Sequence, residues 1–122
     1  GGIAMPKVLV VDDAQFMRMR CARLLSENGF EVLEAQNGAE AVQVYQAHRP
    51  DVVLMDITMP EMDGLTALRQ IRHHDPGARV VMLTALGQQG IVIEAIKSGA
   101  RDFIVKPFDT ERVLSAVRKI LT

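Results

Sequence analysis

Cysteine is nearly absent from this sequence. Cys21 is the single one in 122 residues, so no disulfide framework can form within the chain, and a reducing, cytoplasmic setting is expected. Charge of one sign is not in excess either: 14 Lys+Arg stand against 15 Asp+Glu, a formal net charge of −1. Domains that bind nucleic acid usually carry a clear positive excess, so no nucleic acid is expected as a partner of this segment. Long apolar runs are missing, and none approaches the ~20 residues that span a bilayer, which leaves no membrane partner to expect. The opening Gly1-Gly2-Ile3-Ala4-Met5 has no basic stretch and no long apolar stretch, which excludes a signal peptide. It reads as a cloning remnant before a native start at Met5. Repeats, linkers and low-complexity stretches are also missing. What remains, from residue 6 to 122, is one domain, and the sequence as a whole has ordinary globular composition, 48% hydrophobic and 24% charged. A chain of this length buries roughly two-thirds of its unfolded surface and can hold a core without staples.

Two periodicities alternate along it. Lys7-Val8-Leu9-Val10-Val11, Val52-Val53-Leu54-Met55, Val80-Val81-Met82-Leu83 and Phe103-Ile104-Val105 are short apolar runs rich in β-branched residues. Continuous runs of this kind predict strands buried on both faces, as in a parallel sheet covered by helices. Glu31-Val32-Leu33-Glu34-Ala35 is more polar and suits a sheet edge. Between the runs lie amphipathic segments. Met17, Cys21, Leu24 and Leu25 recur at helical spacing and stop at Asn28-Gly29. Asn37 through Glu40 has the form of a capping box opening a second helix, with Val42 and Tyr45 on one face. Asp63 can cap a third helix that buries Leu65, Leu68 and Ile71, and Asp109 a fifth that buries Val113, Val117, Ile120 and Leu121. Ile91, Ala95 and Ile96 belong to a fourth, closed by Gly99. Five β-α units predict a doubly wound α/β domain, and the polar second strand fits the order 2-1-3-4-5.

In such sheets ligands bind outside the carboxyl ends of the strands. The first strand ends in Asp12-Asp13, the third in Asp56, the fourth in Thr84-Ala85 and the fifth in Lys106-Pro107. Strands one and three would be neighbours, which crowds three carboxylates together. Carboxylates that close require a proton or a cation. A hard, oxygen-liganded dication such as Mg²⁺ suits them, with Mn²⁺ as an alternative. Three carboxylates, one dication and Lys106 sum to zero charge, so an arriving phosphoryl group meets no net repulsion. One carboxylate can then act as nucleophile and form an aspartyl-phosphate, with the metal and Lys106 neutralising the oxygens of the transferring group.

Taken in order, Asp12-Asp13, Asp56 with Met59-Pro60 and Asp63-Gly64 behind it, Thr84-Ala85 and Lys106-Pro107 resemble the receiver domain of two-component response regulators, over essentially the whole of Pro6 to Leu121. The order 2-1-3-4-5 is that of flavodoxin and CheY, so the fold expectation rests in part on the resemblance. The resemblance implies that Asp56 accepts a phosphoryl group from a histidine kinase. Asp12, Asp13, Asp56 and the backbone carbonyl of Thr58 would hold Mg²⁺. Lys106 would pair with the phosphoryl oxygens, its bond to Pro107 being cis. Thr84 would swing its hydroxyl to the phosphoryl group. Phe103 would follow by turning its ring inward, reshaping the surface of the fourth helix, fifth strand and fifth helix. Thr58, Ala85 and Leu86 would tune how water reaches the acyl phosphate at the mouth of the site.

Asp13-Ala14-Gln15-Phe16-Met17, Asp56 through Met62, Gly87-Gln88-Gln89 and Glu94-Ala95-Ile96-Lys97 are similar to the stand-alone CheY-type chemotaxis regulators. That implies a monomer with three kinds of partner: a chemotaxis-type histidine kinase, the flagellar motor switch protein and a phosphatase. It also implies a signalling domain that assists only its own phosphorylation and dephosphorylation, rather than an enzyme. The alternative is a receiver excised from a larger regulator with a DNA-binding or enzymatic output domain. A hydrolase of the haloacid dehalogenase type would need Asp-x-Asp, and Asp56-Ile57-Thr58 lacks the second acid.

Plainer readings stand beside these. Asp12-Asp13 can cap the first helix, and Asp56 can be a turn residue before Pro60. Phe103 can be simple core. His73 and His74 are adjacent, point ~100° apart on a helix and make a poor chelate. Cys21 on an apolar helix face reads as a buried, inert thiol.

Overall fold

A computed structural model describes residues 5–85 and 87–122. The expectations placed on residues 1–4 and on Leu86 lie outside the described residues. Strands and helices alternate through the chain: β1 (Lys7–Val11), α1 (Gln15–Glu27), β2 (Glu31–Ala35), α2 (Gly38–His48), β3 (Val52–Asp56), α3 (Gly64–His74), β4 (Val80–Ala85), α4 (Gln89–Lys97), β5 (Asp102–Lys106) and α5 (Thr110–Leu121). The sheet is parallel throughout, in the order β2-β1-β3-β4-β5. Among the described residues no helix is long and apolar enough to cross a membrane.

Alternation along the strands divides the core into two layers. Val8, Val10, Leu54, Val81, Leu83 and Ile104 face α1 and α5 and meet Leu25, Val113 and Val117. Leu9, Val11, Val53, Met55, Val80 and Met82 face the other way, toward Ala41, Leu68, Ile71 and Ala95. Both sides of the three central strands are therefore dry, which is why their sequences read as unbroken apolar runs. The cap signals hold. Asn37 Oδ1 accepts from Glu40 N at 2.8 Å, Asp63 Oδ1 from Thr66 N at 2.8 Å and Asp109 Oδ1 from Arg112 N at 2.9 Å. Each gives a helix start one otherwise unsatisfied N–H partner.

Two readings fail. The fifth strand is not buried on both faces: Ile104 is inside, but Phe103 and Val105 are exposed. β5 is the last strand of the sheet, and an open cleft of about 520 Å³ lies between it and α4. The fourth helix holds Ile91, Ala95 and Ile96 as expected, but beside the same cleft only Ala95 is buried and Ile91, Ile93 and Ile96 remain exposed. Lastly, the first helix is capped by neither acid. Its N-cap is Ala14, with no side-chain cap bond, while Asp12 Oδ1 accepts from Ala14 N at 2.9 Å in a tight local turn.

Candidate phosphoryl and metal site

β1 and β3 are adjacent and parallel, with Val10 opposite Leu54 and Val11 opposite Met55. Both strands run out at the same edge, so Asp12 and Asp56 leave it side by side. One carboxylate oxygen each from Asp12, Asp13 and Asp56 lies within 4.8 Å of the others. Asp12 is 2% exposed and Asp56 9%, whereas Asp13 faces solvent. Lys106, at the end of β5, crosses the edge of the sheet. Its Nζ donates to Asp56 Oδ2 at 3.1 Å and to Asp12 Oδ2 at 3.3 Å. The Lys106-Pro107 bond is cis.

Local bonds fix the acids. Asp12 N donates to Ala35 O at 3.2 Å, tying the end of β1 to β2. Arg18 Nη1 donates to the Asp12 carbonyl at 2.8 Å, and Arg18 Nε to Glu34 Oε1 at 3.1 Å. On the other side, Thr58 N donates to Asp56 Oδ1 at 3.3 Å. Gly64 N donates to Ile57 O at 2.8 Å, folding the loop after β3 back on itself. A Cβ at Gly64 would strike the Asp56 carbonyl oxygen, and the same ideal atom would lie 2.9 Å from Ile57 Cα. Glycine is thus required there by the close approach of two backbones.

The charges are mutually dependent. Burial pushes the Asp56 carboxyl above the usual carboxylate range; Lys106 draws it down and the Asp12 charge raises it further. Burial alone would lower Lys106, but Asp56 and Asp12 together hold its ammonium above the ordinary lysine value. Three carboxylates with a single ammonium leave a local excess of negative charge. All the donors are hard oxygens, and the cluster is open on the Asp13 side. The donor set fits Mg²⁺, which binds through one or two carboxylates and keeps several waters.

The remaining residues sit on the β4 side. Thr84 is buried at 2% exposure, and its hydroxyl donates to Gln88 Oε1 at 2.9 Å. Ala85 is exposed, and its N–H donates to the same oxygen at 2.7 Å. Gln88 Nε2 in turn donates to Thr58 Oγ1 at 3.0 Å. Phe103 is 39% exposed and lines the α4–β5 cleft together with Thr84, Gln88, Val92 and Ile96, so it is not core. Cys21 is buried, and burial pushes its thiol up to about 11 with help from the Asp12 charge. Sequence reasoning missed Gln88, Arg18 and the steric need for Gly64. Gln88 could have been sought only as a polar residue one helical turn after Thr84, a weak signal.

Comparison with known proteins agrees with this geometry. The family model for the response regulator receiver domain matches residues 8–118. The chain is 59% identical over 116 residues to the chemotaxis protein CheY of Bacillus subtilis, covering 94% of this chain and 97% of that one. Among solved structures, the CheX–CheY–BeF3–Mg complex of Borrelia burgdorferi matches with a TM-score of 0.90 and 40% identity, covering 96% of this chain and 90% of that one. NtrX of Brucella abortus matches with a TM-score of 0.91 and 32% identity, covering 97% of this chain but 27% of that one. A doubly wound 2-1-3-4-5 sheet, an acidic cluster with its lysine at the strand ends and a receiver model spanning nearly every element lead to one assignment: the chain belongs to the response regulator receiver domain family, and within it is CheY-like.

Proposed function

We propose that this protein is a phosphoacceptor of a two-component system, phosphorylated on Asp56 by a histidine kinase in a Mg²⁺-dependent reaction. The observation that carries the reading is the state of Asp56. Its carboxylate is nearly buried, bonded to Lys106 at 3.1 Å and within 4.8 Å of two further carboxylates. In the transfer, an Asp56 oxygen bonds to phosphorus as the phosphorus–nitrogen bond of the donor breaks, and the imidazole leaves. Asp12, Asp13, Asp56 and the Thr58 backbone carbonyl would hold the Mg²⁺, with Mn²⁺ able to replace it. When bound, the ion neutralises charge on the transferring phosphoryl oxygens. Lys106 already sits against Asp56 and would meet an oxygen of the new phosphoryl group. Thr84 would donate its hydroxyl to another.

The output would be a change of surface. Thr84 and Phe103 line one cleft with α4, so a turn of Thr84 leaves room for the Phe103 ring to move inward. The altered α4-β5-α5 face is then read by a protein partner, the flagellar motor switch in chemotaxis. Similarity to CheY over nearly the whole length supports that choice. Thr58, Ala85 and Leu86 would set the rate at which water, or a phosphatase, removes the group. The protein is a cytoplasmic, monomeric signalling domain, residues 6–122 forming one unit. A second reading has the receiver within a larger regulator, favoured by the match to a quarter of NtrX. A native reading frame continuing past Thr122 would support it.

The test is incubation with Mg²⁺ and a small phosphodonor such as phosphoramidate. The wild type should gain the mass of one phosphoryl group, and EDTA should abolish the gain. An Asp56→Asn variant that gains the group as fast as wild type would overturn the assignment of the nucleophile.

A further inference from the structure

Gln88 makes three hydrogen bonds within reach of the site, none of them expected of a residue at a helix start. It is the N-cap of α4, yet its side chain makes no bond to that helix's free N–H groups. Instead the amide turns back. The Ala85 N–H can only donate, so the atom 2.7 Å away is the amide oxygen, which fixes the orientation of the group. The same oxygen takes the Thr84 hydroxyl proton at 2.9 Å, and the amide nitrogen reaches Thr58 Oγ1 at 3.0 Å. One side chain thereby ties the end of β4 to Thr58, whose own N–H donates to Asp56 Oδ1 at 3.3 Å.

From this geometry we infer that Gln88 is a positioning residue that latches the Thr84 hydroxyl away from Asp56 and sets the threshold for activation. The inference rests on the phosphoacceptor reading. A threonine hydroxyl has a single proton to donate. Thr84 spends it on Gln88 Oε1, with the Ala85 carbonyl at 3.2 Å as the other acceptor in range. To donate to a phosphoryl oxygen on Asp56 it must first leave Gln88. Thr84 is also buried, so water does not compete for that proton and the latch keeps its strength. Breaking the bond is thus a cost of the active state that the resting state does not carry. Gln88 also lines the α4–β5 cleft, so its release frees the start of α4 at the same moment.

A hydrogen bond of this kind is worth a factor of roughly three to ten in an equilibrium. Gln88→Leu removes both the acceptor and the tie to Thr58. It should raise the initial rate of phosphorylation by phosphoramidate, with saturating Mg²⁺, by about that factor. Gln88→Glu keeps an acceptor and strengthens it by charge, so it should slow the reaction. Gln88→Asn is one methylene too short to hold all three bonds. It should be faster than wild type, and it serves as a second probe should the leucine variant fold poorly.

A merely structural role is separated by a double-mutant cycle with Thr84→Val. If Gln88 acts through the Thr84 hydroxyl, Gln88→Leu changes the rate less than twofold in the Thr84→Val background. Equal effects of Gln88→Leu in both backgrounds would overturn the inference while leaving Asp56 as the acceptor. So would a glutamate variant as fast as the leucine variant. A wild type that gains no phosphoryl group at all would overturn the phosphoacceptor reading and this inference with it.

Discussion

Neutralising Asp56 should make the metal-free protein more stable, although it breaks an ion pair. At an effective dielectric of about 20, Lys106 at 3.1 Å attracts the Asp56 carboxylate by about 5 kcal/mol. Asp12, within 4.8 Å, repels it by about 3–4 kcal/mol. Those two effects leave a net attraction of about 1–2 kcal/mol, and burial outweighs it, costing several kcal/mol for a carboxylate held out of water. The upward displacement of the Asp56 pKa has the same sign, with burial as its largest cause. Asn keeps the shape, and its single amide oxygen can still accept from Lys106 or from Thr58 N, which on Asp56 donate to different oxygens. Asp56→Asn should therefore gain about 1–2 kcal/mol in EDTA at pH 7, or about 3–8 °C in Tm. The gain depends on pH. The folded state holds the Asp56 proton to higher pH than the unfolded chain does, so wild type loses stability as pH rises through that interval. The advantage of Asn should be small near pH 3, where the carboxyl is protonated in both states, and should grow as pH rises. Added Mg²⁺ should close the gap, because an ion at ten times its dissociation constant stabilises wild type by about 1.4 kcal/mol. Urea titrations followed by circular dichroism would measure all of this. A variant equal to or weaker than wild type in EDTA would refute the reasoning.

Three further outcomes follow from the same residues. Lys106→Met leaves two mostly buried carboxylates without their ammonium and should cost about 2–3 kcal/mol in EDTA, part of it restored by Mg²⁺ in a denaturant titration. Gly64→Ala drives a Cβ into the Asp56 backbone, which cannot yield as a side chain would. It should cost about 2–4 kcal/mol, and no stability loss in thermal melts would contradict the close approach described. Cys21 should react with a thiol reagent at pH 8 at least about a hundredfold more slowly than a free thiol, and denaturant should abolish the difference.

Much of this architecture is legible before any coordinates are known, for reasons particular to certain residues. β1, β3 and β4 are central, so both their faces select apolar side chains and the runs stand out. Asn37, Asp63 and Asp109 act on N–H groups three residues away, and short-range chemistry of that sort is visible in a linear sequence. Asp12, Asp56, Thr84 and Lys106 are found because strand ends of a parallel sheet share one edge. What escapes notice depends on neighbours far along the chain. Phe103 and Val105 are as apolar as any core pair, and only the position of β5 at the sheet edge, beside an open cleft, leaves them exposed. Gln88 bonds to Thr58 across 30 positions of sequence, and no periodicity records that reach. Gly64 seems an ordinary helix-start glycine until the Asp56 carbonyl is seen against it.

The most direct test of the central claim is to locate the phosphoryl group. Protein treated with phosphoramidate and Mg²⁺ is reduced with borohydride, which converts an aspartyl-phosphate to homoserine, and the peptides are sequenced by mass spectrometry. The account predicts homoserine at position 56 alone, with none when EDTA is present. Homoserine at Asp12 or Asp13 instead, or a phosphoryl group carried on one of the histidines, would contradict it.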